Sequence, residues 1–299
     1  MRILALVAAL LVPGAAHATG CGRPAAAESM TLAVVIDGRD RPVRVHVPAG
    51  YDPARPTPFL LDLHGSGSTG AEQAALSRLA AAADSRGMVV AAPDGGIAAD
   101  KGFVWNIPGV PTVAGSVPGP DAPDDTRYLL AVVDAAAAAL CIDQRRVYAT
   151  GLSGGGRMAS WLACVAADRI AAIAPVVGLR AGRARAADPT TVDPATCRPD
   201  RPVAVLTFAG ARDRTNPIVG GEGLRWGYSM TAALQRWAAI NGCAAPAPTV
   251  WLDPRHYRQG YTACRAGSEV AAIVDAEGEH EWAVADNDAI LAFLLAHPR

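Results

Sequence analysis

The chain has 299 residues, 51% of them hydrophobic and 18% charged, which is enough to bury a large core without a metal to hold it. That fits one large α/β domain or two small ones. A net charge of −1, with no basic stripe, argues against nucleic acid as a partner.

The first residues read as a processing signal. Arg2 supplies a positive charge, Ile3 to Leu11 an apolar run, and Ala16-His17-Ala18 a small-residue cleavage site. The run is too short to span a membrane. Cleavage after Ala18 and export, secreted or periplasmic, are therefore expected. Residues 19–299 would form a single mature domain, soluble and without a transmembrane segment. Cys21, Cys141, Cys164, Cys197, Cys243 and Cys264 all lie beyond that point. An even set in an exported chain points to disulfides, although six cysteines allow about 15 connectivities. Cys243 and Cys264 flank a short excursion and are expected to pair. Cys164 with Cys197 and Cys21 with Cys141 complete the set. Lipid anchoring at Cys21 is the weaker reading, because it would strand one thiol. No Cys-x-x-Cys or paired-histidine spacing suggests a metal, and no cofactor is called for.

In chain order, Thr31 to Ile36 and Val43 to Val47 are β-rich runs. The residues from Asp37 to Pro42 separate them, so antiparallel pairing is expected but a two-residue hairpin is not implied. Pro58 to Leu63 is a strand buried on both faces, ending in His64-Gly65-Ser66-Gly67-Ser68. Ala71 to Arg86 is a helix and Met88 to Ala92 a buried strand. A long Gly/Pro-rich segment, Asp94 to Asp124, carries Trp105 and Asn106; loops of this length often line a site. Asp125 to Leu140 is a helix with Asp124 or Asp125 near its N-cap. Strand 146–150, helix 154–167 and strand 170–177 follow. The polar segment Gly178 to Arg201 reads as a surface excursion. Strand 203–208, helix 228–240, strand 270–274 and helix 288–295 close the chain. Strands alternating with helices predict a mostly parallel sheet covered on both faces.

Within this pattern Gly151-Leu152-Ser153-Gly154-Gly155 joins a strand to a helix. The strained turn needs small neighbours, and Gly151 and Gly155 let strand and helix pass closely. Ser153 then presents its hydroxyl at a helix start, where free N–H groups favour a developing oxyanion. A serine nucleophile needs a base, and the base needs an acid to orient it. The α/β-hydrolase order is Ser, acid, His, each in a loop after a strand. Asp213 and His280 follow Ser153 in that order and at such places. His256, in a Tyr/Arg-rich loop, is the rival base. Asp124 and Asp125 precede Ser153 and read as helix caps. Gly154 and Ser66 are the candidate oxyanion donors. Trp105 and Trp282 could offer aromatic faces to a substrate, or could pack their own loops.

Taken together, these residues resemble the secreted esterase family that contains polyhydroxybutyrate depolymerases, feruloyl esterases and acetylxylan esterases. The carriers are Leu63-His64-Gly65, Asp124-Asp125, Cys141-Ile142-Asp143, Arg146 to Ser153, Ala174 to Gly178 and Asn241-Gly242-Cys243. The family's acid loop reads His-Gly-x-x-Asp, whereas Ala209 stands here in place of that His. Its base loop reads Gly-Gly-Gly-His-x-Trp-Pro-Gly, of which Gly278, His280 and Trp282 are kept. The resemblance implies an α/β-hydrolase fold and a serine esterase acting through an acyl-enzyme. It favours feruloyl or acetyl esters of plant cell-wall polysaccharide ahead of polyhydroxyalkanoate. The rivals are a serine peptidase and an exported binding protein that has lost turnover. The 178–201 segment, poor in apolar residues, would leave the cleft open to a polymer.

Overall fold

The computed structural model describes residues 20–299; the expected signal peptide lies outside the described residues. Nine strands build most of the central sheet. They are β1 (Ser29–Leu32), β2 (Val43–His46), β3 (Thr57–Leu63), β4 (Val89–Ala92), β5 (Ile142–Leu152), β6 (Ala172–Val176), β7 (Ala204–Gly210), β8 (His256–Thr262) and β9 (Val270–Asp275). Their spatial order is β1-β2-β4-β3-β5-β6-β7-β9-β8. The pairings from β4 through β9 are parallel. Both edges are antiparallel. The helices are α1 (Gly70–Ser77), α2 (Leu79–Asp84), α3 (Asp125–Ala139), α4 (Gly154–Val165), α5 (Gly223–Trp226), α6 (Met230–Asn241) and α7 (Asn287–Ala296).

Two apolar layers sandwich this sheet, because side chains alternate along each strand. Phe59, Leu61 and Leu63 of β3 face a layer completed by Leu129 and Val133 of α3, Met158 and Leu162 of α4, and Trp237 of α6. Leu60 faces the other layer, with Leu79 and Ala83 of α2 and Ile290, Leu291 and Leu294 of α7. Strands covered on both sides read as unbroken apolar runs, which is why β3 is buried throughout.

Several boundaries differ from the sequence reading. The stretch expected as one helix is α1 and α2, broken at Arg78, which takes a left-handed φ of 53°. Gln73 and Ser77 of α1 are tied by hydrogen bonds to Asp62 of β3 at 2.8 and 2.5 Å, and the break lets α2 redirect Leu79 into the second layer. Asp37 and Gly38, with φ of 52° and 72°, do form a tight turn. It joins two short strands, Val35–Ile36 and Arg39–Asp40, inside the connection between β1 and β2. β8 takes the place of the Tyr/Arg-rich loop that the sequence predicts around His256. It has a sheet neighbour of regular length on one side only and is half-buried, so its sequence mixes Tyr, Arg and Gln instead of running apolar.

The three disulfides are Cys21–Cys141, Cys164–Cys197 and Cys243–Cys264, as the sequence suggested. The first occupies the Cys21 sulfur that a lipid thioether would require. Among the described residues no helix is long and apolar enough to cross a membrane.

Candidate active site

The carboxyl ends of the parallel strands gather the candidate residues. β5 ends at Leu152, and Ser153 follows with φ 53° and ψ −109°, a strained conformation for a side-chain-bearing residue. Its N–H donates to the Val176 carbonyl, and α4 begins at once. Three glycines make the turn possible. A Cβ at Gly151 or Gly155 would collide with the Leu63 carbonyl oxygen at the end of β3. One at Gly178 would collide with the Ser153 carbonyl oxygen.

Asp213 sits in the loop after β7, with its side chain 1% exposed, and His280 in the loop after β9. The His280 Nδ1 lies 2.7 Å from Asp213 Oδ2. The N–H groups of Thr215 and Asn216 donate to the other carboxylate oxygen, each at 2.8 Å. Burial pushes the Asp213 carboxyl up, but the hydrogen bonds from His280 and Asn216 outweigh it and hold it below its ordinary value. The ionised acid is placed to accept from Nδ1–H, so in the neutral ring Nε2 is the nitrogen left to act as base. Ser153 is 7% exposed, and the structure contains no hydrogen bond between its hydroxyl and His280 among the described residues.

The rival base is held elsewhere. His256 opens β8, opposite Asp275, and its Nδ1 lies 2.8 Å from Asp253. Asp275 is clasped by Arg255 at 2.6 Å. Asp124 caps α3 by accepting from the Arg127 N–H, as expected. Asp125 does more than cap. It is fully buried and accepts from the N–H groups of Gly96 and Asn106 and from Arg41. It thus ties the long 94–124 loop to the turn before β2.

The oxyanion candidates lie side by side. Gly154 is the first residue of α4, so its N–H has no partner within the helix. Ser66 packs against it so closely that a Cβ on Gly154 would strike the Ser66 hydroxyl. The Ser66 N–H makes no hydrogen bond among the described residues. His64, fully buried, braces this loop. Its Nδ1 lies 2.7 Å from the Gly65 carbonyl and must donate; its Nε2 accepts from the Gly95 N–H at 2.8 Å. That fixes one neutral tautomer, and burial lowers its pKa accordingly.

The two tryptophans require a correction. Trp105 and Trp282 are both buried, and each indole spends its N–H and its ring face on packing within the protein instead of facing substrate. The Trp105 indole donates to the His64 carbonyl at 2.8 Å, holding the oxyanion loop from behind. Trp282 donates to Asn287 of α7 and packs in the second apolar layer. Nor is the 178–201 segment wholly a surface excursion. Leu179, Arg180 and Ala181 are buried beneath Tyr228, whose hydroxyl bonds both Ala181 and Gly182. Sequence reasoning also missed Arg225 of α5, which reaches across to the Ser66 hydroxyl at 3.0 Å. Among the described residues no group of three or more His, Cys, Asp or Glu could hold a metal ion.

No protein-family model matches the chain. It is 28% identical over 252 residues to feruloyl esterase B of Piromyces equi, covering 80% of this chain and 42% of that one. It is 35% identical over 231 residues to a protein named as an esterase in Nocardia uniformis subsp. tsuyamanensis, covering 76% of this chain and 58% of that one. The chain therefore spans about half the length of these curated relatives. A solved acetyl xylan esterase from Aspergillus awamori superposes with a TM-score of 0.62 at 15% identity, covering 90% of this chain and 99% of that one. The chain has the α/β-hydrolase fold, and its sequence resembles the esterases that share it.

Proposed function

We propose that the chain is a carboxylic-ester hydrolase working through Ser153, His280 and Asp213. The observation that carries this reading is the 2.7 Å contact between Asp213 and His280, at the same carboxyl end of the parallel strands as the strained Ser153 turn. Ser153 Oγ attacks the ester carbonyl while His280 Nε2 takes its proton. Asp213 keeps the ring oriented and stabilises the imidazolium. The N–H groups of Gly154 and Ser66 face the tetrahedral oxyanion. His280 returns the proton to the leaving alcohol, and water repeats the sequence on the acyl-enzyme. The sequence relatives favour feruloyl or acetyl esters of plant cell-wall polysaccharide. The three disulfides favour an oxidising compartment, in keeping with export.

The test combines a fluorophosphonate probe with hydrolysis of p-nitrophenyl butyrate. Labelling and turnover should both vanish in Ser153→Ala. A protein that neither labels nor hydrolyses any ester would be the non-catalytic alternative. Cleavage of peptide anilides in preference to esters would make it a peptidase. Methyl ferulate, acetylated xylan and hydroxybutyrate oligomers then rank the acyl groups.

A further inference from the structure

Three arginines beside this site lack, among the described residues, the carboxylate partners that buried cations require. Arg157, on the first turn of α4, is 5% exposed, and its side chain makes no hydrogen bond among the described residues. Arg180 is also 5% exposed. It donates to the Leu179 carbonyl and to Asn216 Oδ1, but its Nε is buried and unpaired. Arg225 makes its hydrogen bond to Ser66. All three guanidinium groups converge on one indole. Their central carbons lie 4.5, 4.5 and 5.5 Å from the Trp226 ring. The Trp226 N–H is itself buried without a partner among the described residues.

Stacking on an aromatic face offsets only part of the cost of burying an unpaired ion. The three like charges also repel. Burial, followed by the charges of Arg180 and Arg225, drives the Arg157 pKa well down. Burial lowers Arg180 to about 10. Asp213 offsets part of the Arg180 charge from a distance without forming an ion pair, and the positive charge left over suits an anion. Its position says which. Arg225 touches Ser66 of the oxyanion loop, while Arg180 holds Asn216, whose N–H bonds Asp213. The cations thus bridge the oxyanion loop and the acid loop, beside the place where an ester bound to Ser153 would lie.

We propose that Arg157, Arg180 and Arg225, gathered on Trp226, form a subsite for a carboxylate carried by the ester substrate. The inference rests on the ester-hydrolase reading above and narrows it to esters that bear a second, anionic group. Guanidinium forks suit a carboxylate because they can donate two parallel hydrogen bonds.

Paired substrates test it. Monomethyl glutarate against methyl valerate places the charge on the acyl side. 4-Acetoxybenzoate against phenyl acetate places it on the alcohol side. In the native protein at least one charged member should have the higher kcat/KM, through a lower KM. Sodium chloride should erode that preference. Arg157→Gln should lower the charged-to-neutral ratio about 10- to 100-fold, and Arg157→Lys should restore part of it. If Arg157→Gln does not fold, Arg225→Gln, at a half-buried position, should lower the same ratio. A native ratio of one or less in both pairs, or a ratio unmoved by the substitutions, overturns the subsite and leaves the esterase reading intact. If none of these esters is hydrolysed, charged or neutral, the esterase reading fails, and calorimetry with glutarate still decides the subsite. Glutarate binding that is lost in Arg157→Gln supports it; no binding to the native protein refutes it.

Discussion

At the scale of single residues, the acid partner of His280 is held by three donors while Ser153 is held by its backbone strain. Loss of each should therefore cost differently. Ser153→Ala removes only a hydroxyl and should reduce kcat by about 10⁴- to 10⁶-fold with little change in melting temperature. His280→Ala should be nearly as damaging, and Asp213→Asn somewhat less so. An active His280→Ala alongside an inactive His256→Ala would reverse the choice of base. A second acid makes a different prediction. Asp62 is buried under α1, and desolvation lifts its pKa to about 7 despite hydrogen bonds from Ser77 and Gln73. A carboxyl raised in the folded state favours folding below its unfolded pKa, and that contribution is lost as pH rises towards the folded value. From about pH 4 to pH 7, then, Asp62 should lower stability by up to about 4 kcal/mol. Asp62→Asn should flatten that dependence, raising the melting temperature more at pH 8 than at pH 4.

At the scale of elements, the site is an agreement between three loops. α4 can start where it does only because Gly151 and Gly155 admit the Leu63 carbonyl, and Leu63 leads directly into the oxyanion loop. Gly155→Ala should therefore destabilise the fold by about 1–3 kcal/mol and slow turnover of every ester, since it separates Gly154 from Ser66. Trp105→Ala should slow a small acetate and a bulky aryl ester by the same factor and lower the melting temperature, because the indole supports His64 and does not meet substrate. A selective rise in KM for the aryl ester would restore Trp105 to the cleft. The sequence made the elbow legible because its glycines have one physical use at that spacing. It made Asp213 and His280 legible through their order after strands. The Arg225–Ser66 contact was not legible, since the two lie 159 residues apart and Arg225 stands in no motif. Nor was the break at Arg78, which nothing in the alanine-rich run announces.

At the scale of the whole molecule, the apolar runs foretold the parallel centre and the antiparallel pairing of β1 with β2, but not the antiparallel edge at β8. Strands covered on both faces announce themselves by unbroken hydrophobicity. β8, half-covered and cross-braced by charged pairs such as Arg258 with Glu269, reads as a polar loop. Cys243–Cys264 fastens the end of α6 to this rim. Replacing both cysteines by serine should cost about 3 kcal/mol, while leaving the chemistry at Ser153 in place; equal loss of stability and of kcat in the folded protein would refute that separation.

The buried His64 has a use beyond architecture. Its ring proton is fixed on Nδ1, shielded from solvent, and hydrogen-bonded within the loop that presents Ser66. Such a proton exchanges with water only when its surroundings open. It should therefore give a separate, persistent imidazole resonance in proton NMR. The rate at which that resonance fades in heavy water would time the opening of the oxyanion loop directly, in the resting protein and without any substrate.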